Sequence, residues 1–347
     1  MATHAEVIAA ALAGSGVEYS FGVPGGEVLA LIDACRRAGI RFVLAGHESS
    51  AAVMAQVLGQ IRGVPGVCLA TLGPGATNLV TGVANAFLDR APLLAFTAQI
   101  PGAALATMSH QRVDLNQLFA PVTKRSVPLG TETDSGEAVR DSIKLALAPR
   151  PGPVHLALPS DLALQECNGR PAAADTAAAG PGAAGTLAEI AARIHAARRP
   201  LALIGLGAEP ATAAAVRTLL ERLEVPFLVT PKVKGLIPEN HPRFLGVATG
   251  MAIDRDIVET VRAADLILGL GFDPVEADKT WFADVPVVAL DSAPMSEGDY
   301  RPLEAIGDIA TLAAALAAMV EPHPWPEELH AARRTAATRA AGPGLSP

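Results

Sequence analysis

Along the first half of the chain, short apolar runs alternate with segments whose apolar residues recur at i, i+3, i+4 and i+7. Thr3 and Glu6 form an S/T-x-x-E capping box ahead of Val7, Ile8, Ala11 and Leu12, which predicts a helix that ends at Gly14 and Gly16. A strand follows from Glu18 to Val23, closed by Pro24-Gly25-Gly26. Val28, Leu31, Ile32 and Cys35 then share one helical face up to Gly39. Arg41 to Ala45 reads as a strand, and a helix opens near Glu48 and runs to about Gln60. Val67 to Leu72 is a strand, Thr77 to Leu88 a helix and Pro92 to Thr97 a strand. From Gln99 to Ser126 the periodicity weakens, with a short helix expected within Met108 to Phe119. A helix over Ser135 to Ala148, the turn Arg150-Pro151-Gly152-Pro153 and a strand over Val154 to Leu158 close this half.

The same alternation resumes after an Ala/Gly/Pro segment. A helix from Leu187 to Ala197 leads to a strand, Leu201 to Ile204, and a helix around Ala213 to Leu223. The strand Pro226 to Val229, a helix near Asp256 to Arg262, the strands Leu266 to Leu270 and Val285 to Leu290, and a helix over Ile309 to Met319 complete it. Apolar strands separated by amphipathic helices predict parallel sheets covered on both faces. The fold class expected is therefore α/β, with two doubly wound parallel-sheet domains. Residues 1–167 form the first, 168–185 a linker, 186–320 the second, and 321–347 a tail that reads as a linker to a further domain.

Composition narrows the partners. Half of the 347 residues are hydrophobic and 18% are charged, enough apolar material for two cores. A net charge of -8 without a basic run excludes a nucleic-acid surface. Cys35, Cys68 and Cys167 have no metal-ligand spacing and read as free thiols of a reducing compartment. No apolar run approaches the roughly 18 to 20 residues of a membrane span, and no signal peptide is apparent. A soluble cytoplasmic protein is expected.

Two features offer chemistry. Glu48 stands just after an apolar run, and the helix behind it is nearly uncharged: Ala51, Ala52, Val53, Met54, Ala55, Val57 and Leu58. A lone Glu at a helix start is ordinarily a surface residue favoured by the helix dipole. A helix with so little charge, however, is expected to be buried on most sides, which would desolvate the carboxyl group and suit it to proton exchange. Gly73-Pro74-Gly75 lies between a strand and a helix, as either an ordinary turn or a ligand wall at the carboxyl edge of the sheet. Neither G-x-x-x-x-G-K-[ST], G-x-G-x-x-G nor G-x-S-x-G occurs. Gly205-Leu206-Gly207 at a strand end lacks a third glycine and is a weak nucleotide signal. His47, His110 and His155 are scattered and need no special role.

Phe21-Gly22-Val23-Pro24-Gly25-Gly26, Gly46-His47-Glu48 and the run from Gly73 to Gly82 resemble the N-terminal pyrimidine-binding domain of thiamine diphosphate enzymes, the acetolactate synthase group above all. Pro121 to Lys124 and Arg150 to Val154 continue the match. Ile237 to Pro242 and Ala264 to Gly269 resemble the family's Rossmann-like central domain. The resemblance implies that Glu48 bonds N1′ of the cofactor's aminopyrimidine and favours its imino tautomer. The cofactor then attacks a 2-keto acid, and CO₂ leaves. It further implies that Gly25, Pro74 and Asn78 pack around the pyrimidine, that Gln111 lies near the reacting centre, and that Lys124 and Arg150 lie near flavin or substrate.

The chain also departs from the family. The Mg²⁺-diphosphate signature, Gly-Asp-Gly followed downstream by Asn, belongs to a third domain and is missing: Gly298-Asp299 continues with Tyr300, and Gly307-Asp308 with Ile309. Gly271-Phe272-Asp273-Pro274 lacks the Arg of flavin-binding members, which counts against FAD. His110 and Arg90 replace an aromatic and a serine of the pocket, so acceptor and substrate are expected to differ from acetolactate synthase. The expectation is the pyrimidine-side half of a carboligase or decarboxylase. It would work as a homodimer, or as a hetero-oligomer with a chain carrying the diphosphate-binding domain and Mg²⁺, and would be inactive alone. The alternatives are a non-catalytic truncated homologue or assembly subunit and, third, a nucleotide-binding protein using Gly205 and Gly207.

Overall fold

The computed structural model describes residues 2–168, 183–249, 255–277 and 284–325. Most of the linker 168–185, and the tail beyond residue 325, lie outside the described residues. The chain divides into two compact units, Met1–Ala177 and Ala178–Pro347.

In the first unit, helices α1 (His4–Gly14), α2 (Leu29–Arg37), α3 (Glu48–Arg62), α4 (Pro74–Leu88), α5 (Leu115–Phe119) and α6 (Ser135–Leu147) alternate with six strands. These are β1 (Tyr19–Gly22), β2 (Arg41–Leu44), β3 (Gly66–Ala70), β4 (Leu93–Gln99), β5 (Arg125–Pro128) and β6 (Pro153–Pro159). The strand order is β2-β1-β3-β4-β6-β5, and every pairing is parallel. Successive side chains of a strand face opposite ways. Val67 and Leu69 therefore join the core beneath α1, α2 and α6, while Cys68 and Ala70 join the core beneath α3, α4 and α5. The capping box at Thr3 forms as the sequence predicts: Glu6 N–H donates to Thr3 Oγ1, and Thr3 N–H donates to Glu6 Oε2 at 2.9 Å.

Small residues set how closely α3 and α4 approach. A Cβ at Gly82 would lie 2.5 Å from Ala52 Cβ and 2.8 Å from Ser49 O, so only glycine permits that spacing. Ser49 Oγ then donates to Asn78 O at 2.6 Å and ties the two helices at their first turns. One expectation is corrected here. Helix α3 is not buried on most sides, because Val53, Met54, Val57 and Ile61 on its outer face are exposed. The lack of charge there coincides with an apolar face that the described residues of the first unit leave exposed.

In the second unit, α7 (Ala183–Ala196), α8 (Ala213–Leu223), α9 (Arg255–Ala263) and α10 (Ile309–Ala317) accompany another parallel sheet. Its strands are β7 (Pro200–Ile204), β8 (Phe227–Val229), β9 (Phe244–Val247), β10 (Leu266–Leu270), β11 (Val287–Asp291) and β12 (Leu303–Ile306). Their order, β12-β11-β10-β7-β8-β9, is that of the doubly wound dinucleotide-binding fold. Among the described residues, no helix is long and apolar enough to cross a membrane.

Candidate functional site

In the first sheet the chain leaves β1 toward β2 on one side and builds outward from β3 on the other. Open α/β sheets bind ligands at the carboxyl ends of strands beside such a switch. The loops that emerge there carry Gly25 after β1, Glu48 after β2 and Gly73-Pro74-Gly75 after β3.

Glu48 is the first residue of α3 and is 8% exposed. His47 is the cap of that helix, its Nδ1 accepting from Ser49 N–H at 3.1 Å. The close approach of α3 and α4 brings Asn78 onto Glu48, and Asn78 Nδ2 donates to Glu48 Oε2 at 3.0 Å. The other oxygen, Oε1, faces Gly75, where a Cβ would stand 3.3 Å from it. One oxygen of a buried carboxyl group is therefore anchored, while the other faces the bare backbone of Gly75, where a side chain would crowd both it and Thr71.

Gly73 opens α4 with φ +56° and ψ −119°, a conformation suited to glycine, and Pro74 takes the first helical position, where its missing N–H costs nothing. A Cβ at Gly73 would also lie 2.8 Å from Gln111 Cβ, which places Gln111 against the turn. Gln111 itself is exposed and left-handed, at φ +55°. Thr71 fills the space between the loops: Cβ atoms at Gly25 and at Gly75 would each approach its side chain to 2.7 Å. Its hydroxyl donates to Glu27 Oε2 at 2.6 Å. Gly25, Glu48, Pro74, Asn78 and Gln111 thus gather at one edge. Thr71 and Glu27 join them without any pattern in the sequence marking either residue.

Lys124 and Arg150 are not brought to this edge. They precede β5 and β6 and stand at the amino edge of the same sheet. Lys124 Nζ donates to Ala148 O at 2.9 Å. Burial and, after it, the Arg90 guanidinium push the ammonium down to about 8.

His155, which needs no special role on its sequence context, is a buried structural residue. Its Nε2 lies 2.8 Å from Thr97 Oγ1 and its Nδ1 2.7 Å from Ser126 Oγ, which in turn accepts from Asn116 Nδ2. Phe119 stacks on the ring at 4.1 Å, and burial drives the imidazole down to about 3, so it stays neutral. The chain Thr97–His155–Ser126–Asn116 ties β4, β6, β5 and α5 together. It ends at a cleft of about 520 Å³ lined in part by Gln99, Arg112 and Asn116. Among the described residues, no cluster of His, Cys, Asp and Glu has the makings of a metal site.

The amino-acid sequence matches known families. The thiamine pyrophosphate enzyme N-terminal TPP binding domain matches residues 2–118, and the central domain of the same enzymes matches residues 187–318. The acetolactate synthase isozyme 1 large subunit of Escherichia coli is 34% identical over 334 residues, 94% of this chain and 59% of that protein. An acetolactate synthase of Bacillus subtilis is 33% identical over 88% of this chain and 55% of its own length. A probable acetolactate synthase large subunit of Methanocaldococcus jannaschii is 34% identical over 85% of this chain and 52% of its own length. The chain thus spans less than two thirds of the length of these curated relatives.

Proposed function

This chain belongs to the thiamine pyrophosphate enzymes of the acetolactate synthase type, and we propose that it supplies the pyrimidine side of a carboligase or decarboxylase acting on a 2-keto acid. A partner domain holds the diphosphate and Mg²⁺. The observation that carries this reading is the asymmetric carboxyl group of Glu48, held by Asn78 at Oε2 and turned toward the Gly75 backbone at Oε1.

The residues fit an aminopyrimidine. Gly25 and Gly75 present bare backbone on either side of Thr71, against which a flat ring can lie and a Cβ could not. Thiamine diphosphate, when bound, supplies the carbon nucleophile that a protein side chain lacks. The chain's own residues do the rest. Glu48 holds or gives a proton at Oε1, and Asn78 fixes the orientation of that carboxyl group. Pro74 and Gly25 wall the ring and exclude water, and Gln111 reaches the same turn from the far loop. Positioned proton transfer of this kind contributes about 10²- to 10⁴-fold to a rate. Lys124 and Arg150, at the opposite edge, have no part at the ring.

Two measurements test this. Titrating the purified chain with thiamine diphosphate and Mg²⁺ should show weak binding and no turnover of a 2-keto acid, whereas tight binding by the chain alone contradicts the need for a partner domain. In the complex reconstituted with a chain carrying the diphosphate-binding domain, Glu48→Gln should lower turnover at least about a hundredfold. Unchanged turnover would make this chain a non-catalytic assembly subunit.

A further inference from the structure

The second unit carries its own glycine turn at a strand end, Gly205-Leu206-Gly207 after β7. Turns of this kind bind phosphate by presenting backbone N–H groups at the start of a helix. Here those groups are already spent. Gly205 N–H donates to Leu270 O at 3.1 Å, Gly207 N–H to Gly271 O at 2.8 Å, Ala208 N–H to Gly205 O at 2.9 Å and Glu209 N–H to Gly207 O at 3.2 Å. The remaining one, Leu206 N–H, donates to Glu276 Oε2 at 2.8 Å.

Glu276 closes the short turn Pro274–Glu276 that follows β10. Its other oxygen, Oε1, accepts from Thr230 Oγ1 at 2.6 Å, beyond the end of β8. The carboxyl group therefore bridges the ends of β7 and β8, where a phosphate would sit. The glycines are explained by this closure. A Cβ at Gly205 would lie 2.5 Å from both Glu276 Oε2 and Phe272 Cα, and one at Gly207 would lie 3.0 Å from Gly271 O. Asp273, 1% exposed, and Asp291, at the end of β11 with no exposure, add acidity to the same edge.

We propose that Glu276 is the resident occupant of the anion position at the Gly205-Leu206-Gly207 turn, so that the second unit holds no nucleotide diphosphate there, FAD included. The residues do not fit a flavin dinucleotide at this turn, and the inference stands whether or not Glu48 serves thiamine diphosphate.

The test uses ADP and FAD as probes, in equilibrium dialysis against the full chain at pH 8. The wild type should show no saturable binding at micromolar ligand. Glu276→Ala, checked for native circular dichroism, frees Leu206 N–H and should bind ADP at least tenfold more tightly than the wild type. Glu276→Gln retains a side chain able to hold the Leu206 amide and should remain as closed as the wild type. Saturable micromolar binding by the wild type overturns the proposal, and so does a folded Glu276→Ala variant without gain. Binding by Glu276→Gln equal to that of Glu276→Ala also overturns it, since charge and not occupancy would then be the barrier.

Discussion

The carboxyl edges of the two sheets start from the same ingredients and end differently. Each has a glycine-containing turn between a parallel strand and a helix, and each has a glutamate beside that turn, buried at Glu48 and half-buried at Glu276. In the first sheet the glutamate begins a helix. Asn78 binds one of its oxygens, and the other faces the Gly75 backbone. In the second sheet the glutamate ends a turn, and both of its oxygens are bonded across the strand ends to Leu206 N–H and Thr230 Oγ1. Glycine after a strand thus permits close approach without saying what approaches. At Gly75 the neighbours are a threonine methyl and a carboxyl oxygen, and at Gly205 they are backbone and the plugging carboxyl group.

The largest expected effect tests the closed side. Gly205→Ala forces a methyl group against Phe272 Cα and Gly271 O, backbone atoms that have nowhere to go. Overpacking of this kind costs about 3 kcal/mol, and chemical denaturation should show the second unit unfolding at lower denaturant while the first is unchanged. A wild-type midpoint would mean that the two turns are not packed as described.

The next effect, of order 2 kcal/mol, is a pH dependence. Burial, opposed by the bonds from Thr230 and Leu206, raises Glu276 to about 7 from an ordinary value of 4.5. The folded state then binds more protons than the unfolded state between those values, so this group's contribution to stability falls as pH rises through that window. Unfolding free energies at pH 5 and pH 8 should show the wild type losing ground to Glu276→Gln at the higher pH. An unchanging gap between the two would remove the titration from that window.

On the open side, Gly75→Ala meets mainly Thr71 Cγ2, the end of a side chain, and should cost only about 1 kcal/mol of stability. The same methyl group covers Glu48 Oε1, so thiamine diphosphate binding by the reconstituted complex should weaken at least tenfold. A stable variant with undiminished binding would place the ring elsewhere. The smallest effect is a control beside the same site. Nothing lies within 4 Å of a Cβ at Gly26, so Gly26→Ala should stay within about 0.5 kcal/mol of the wild type in thermal unfolding and leave cofactor binding unaltered.

Much of this was legible in the sequence. Central strands such as β3, β4, β7 and β10 are buried on both faces and read as continuous apolar runs, and their helices show a single buried stripe. The strands the pattern does not reveal, β5, β9 and β12, all lie at sheet edges and are only partly buried. An edge strand packs against fewer neighbours, so its side chains need not be uniformly apolar. Glu48 was conspicuous in the sequence for a local reason, as a carboxyl group at the head of an uncharged helix, although that helix is not buried on most sides. Glu276 was not, because a glutamate after an Asp-Pro turn looks like any surface residue.

The sequence by itself determined the local elements, the two parallel sheets they imply, and the glycines where the chain must turn or approach closely. These depend on neighbours a few residues apart, which periodicity and backbone freedom report directly. Only the tertiary structure decided which side chains meet. Asn78 reaches Glu48 because Gly82 and Ala52 let two helices close on each other. Glu276 reaches Leu206 across 70 positions because β7 and β10 are neighbours in the sheet. Such pairings arise from the order of strands and the distance between helices, which no local pattern of residues encodes.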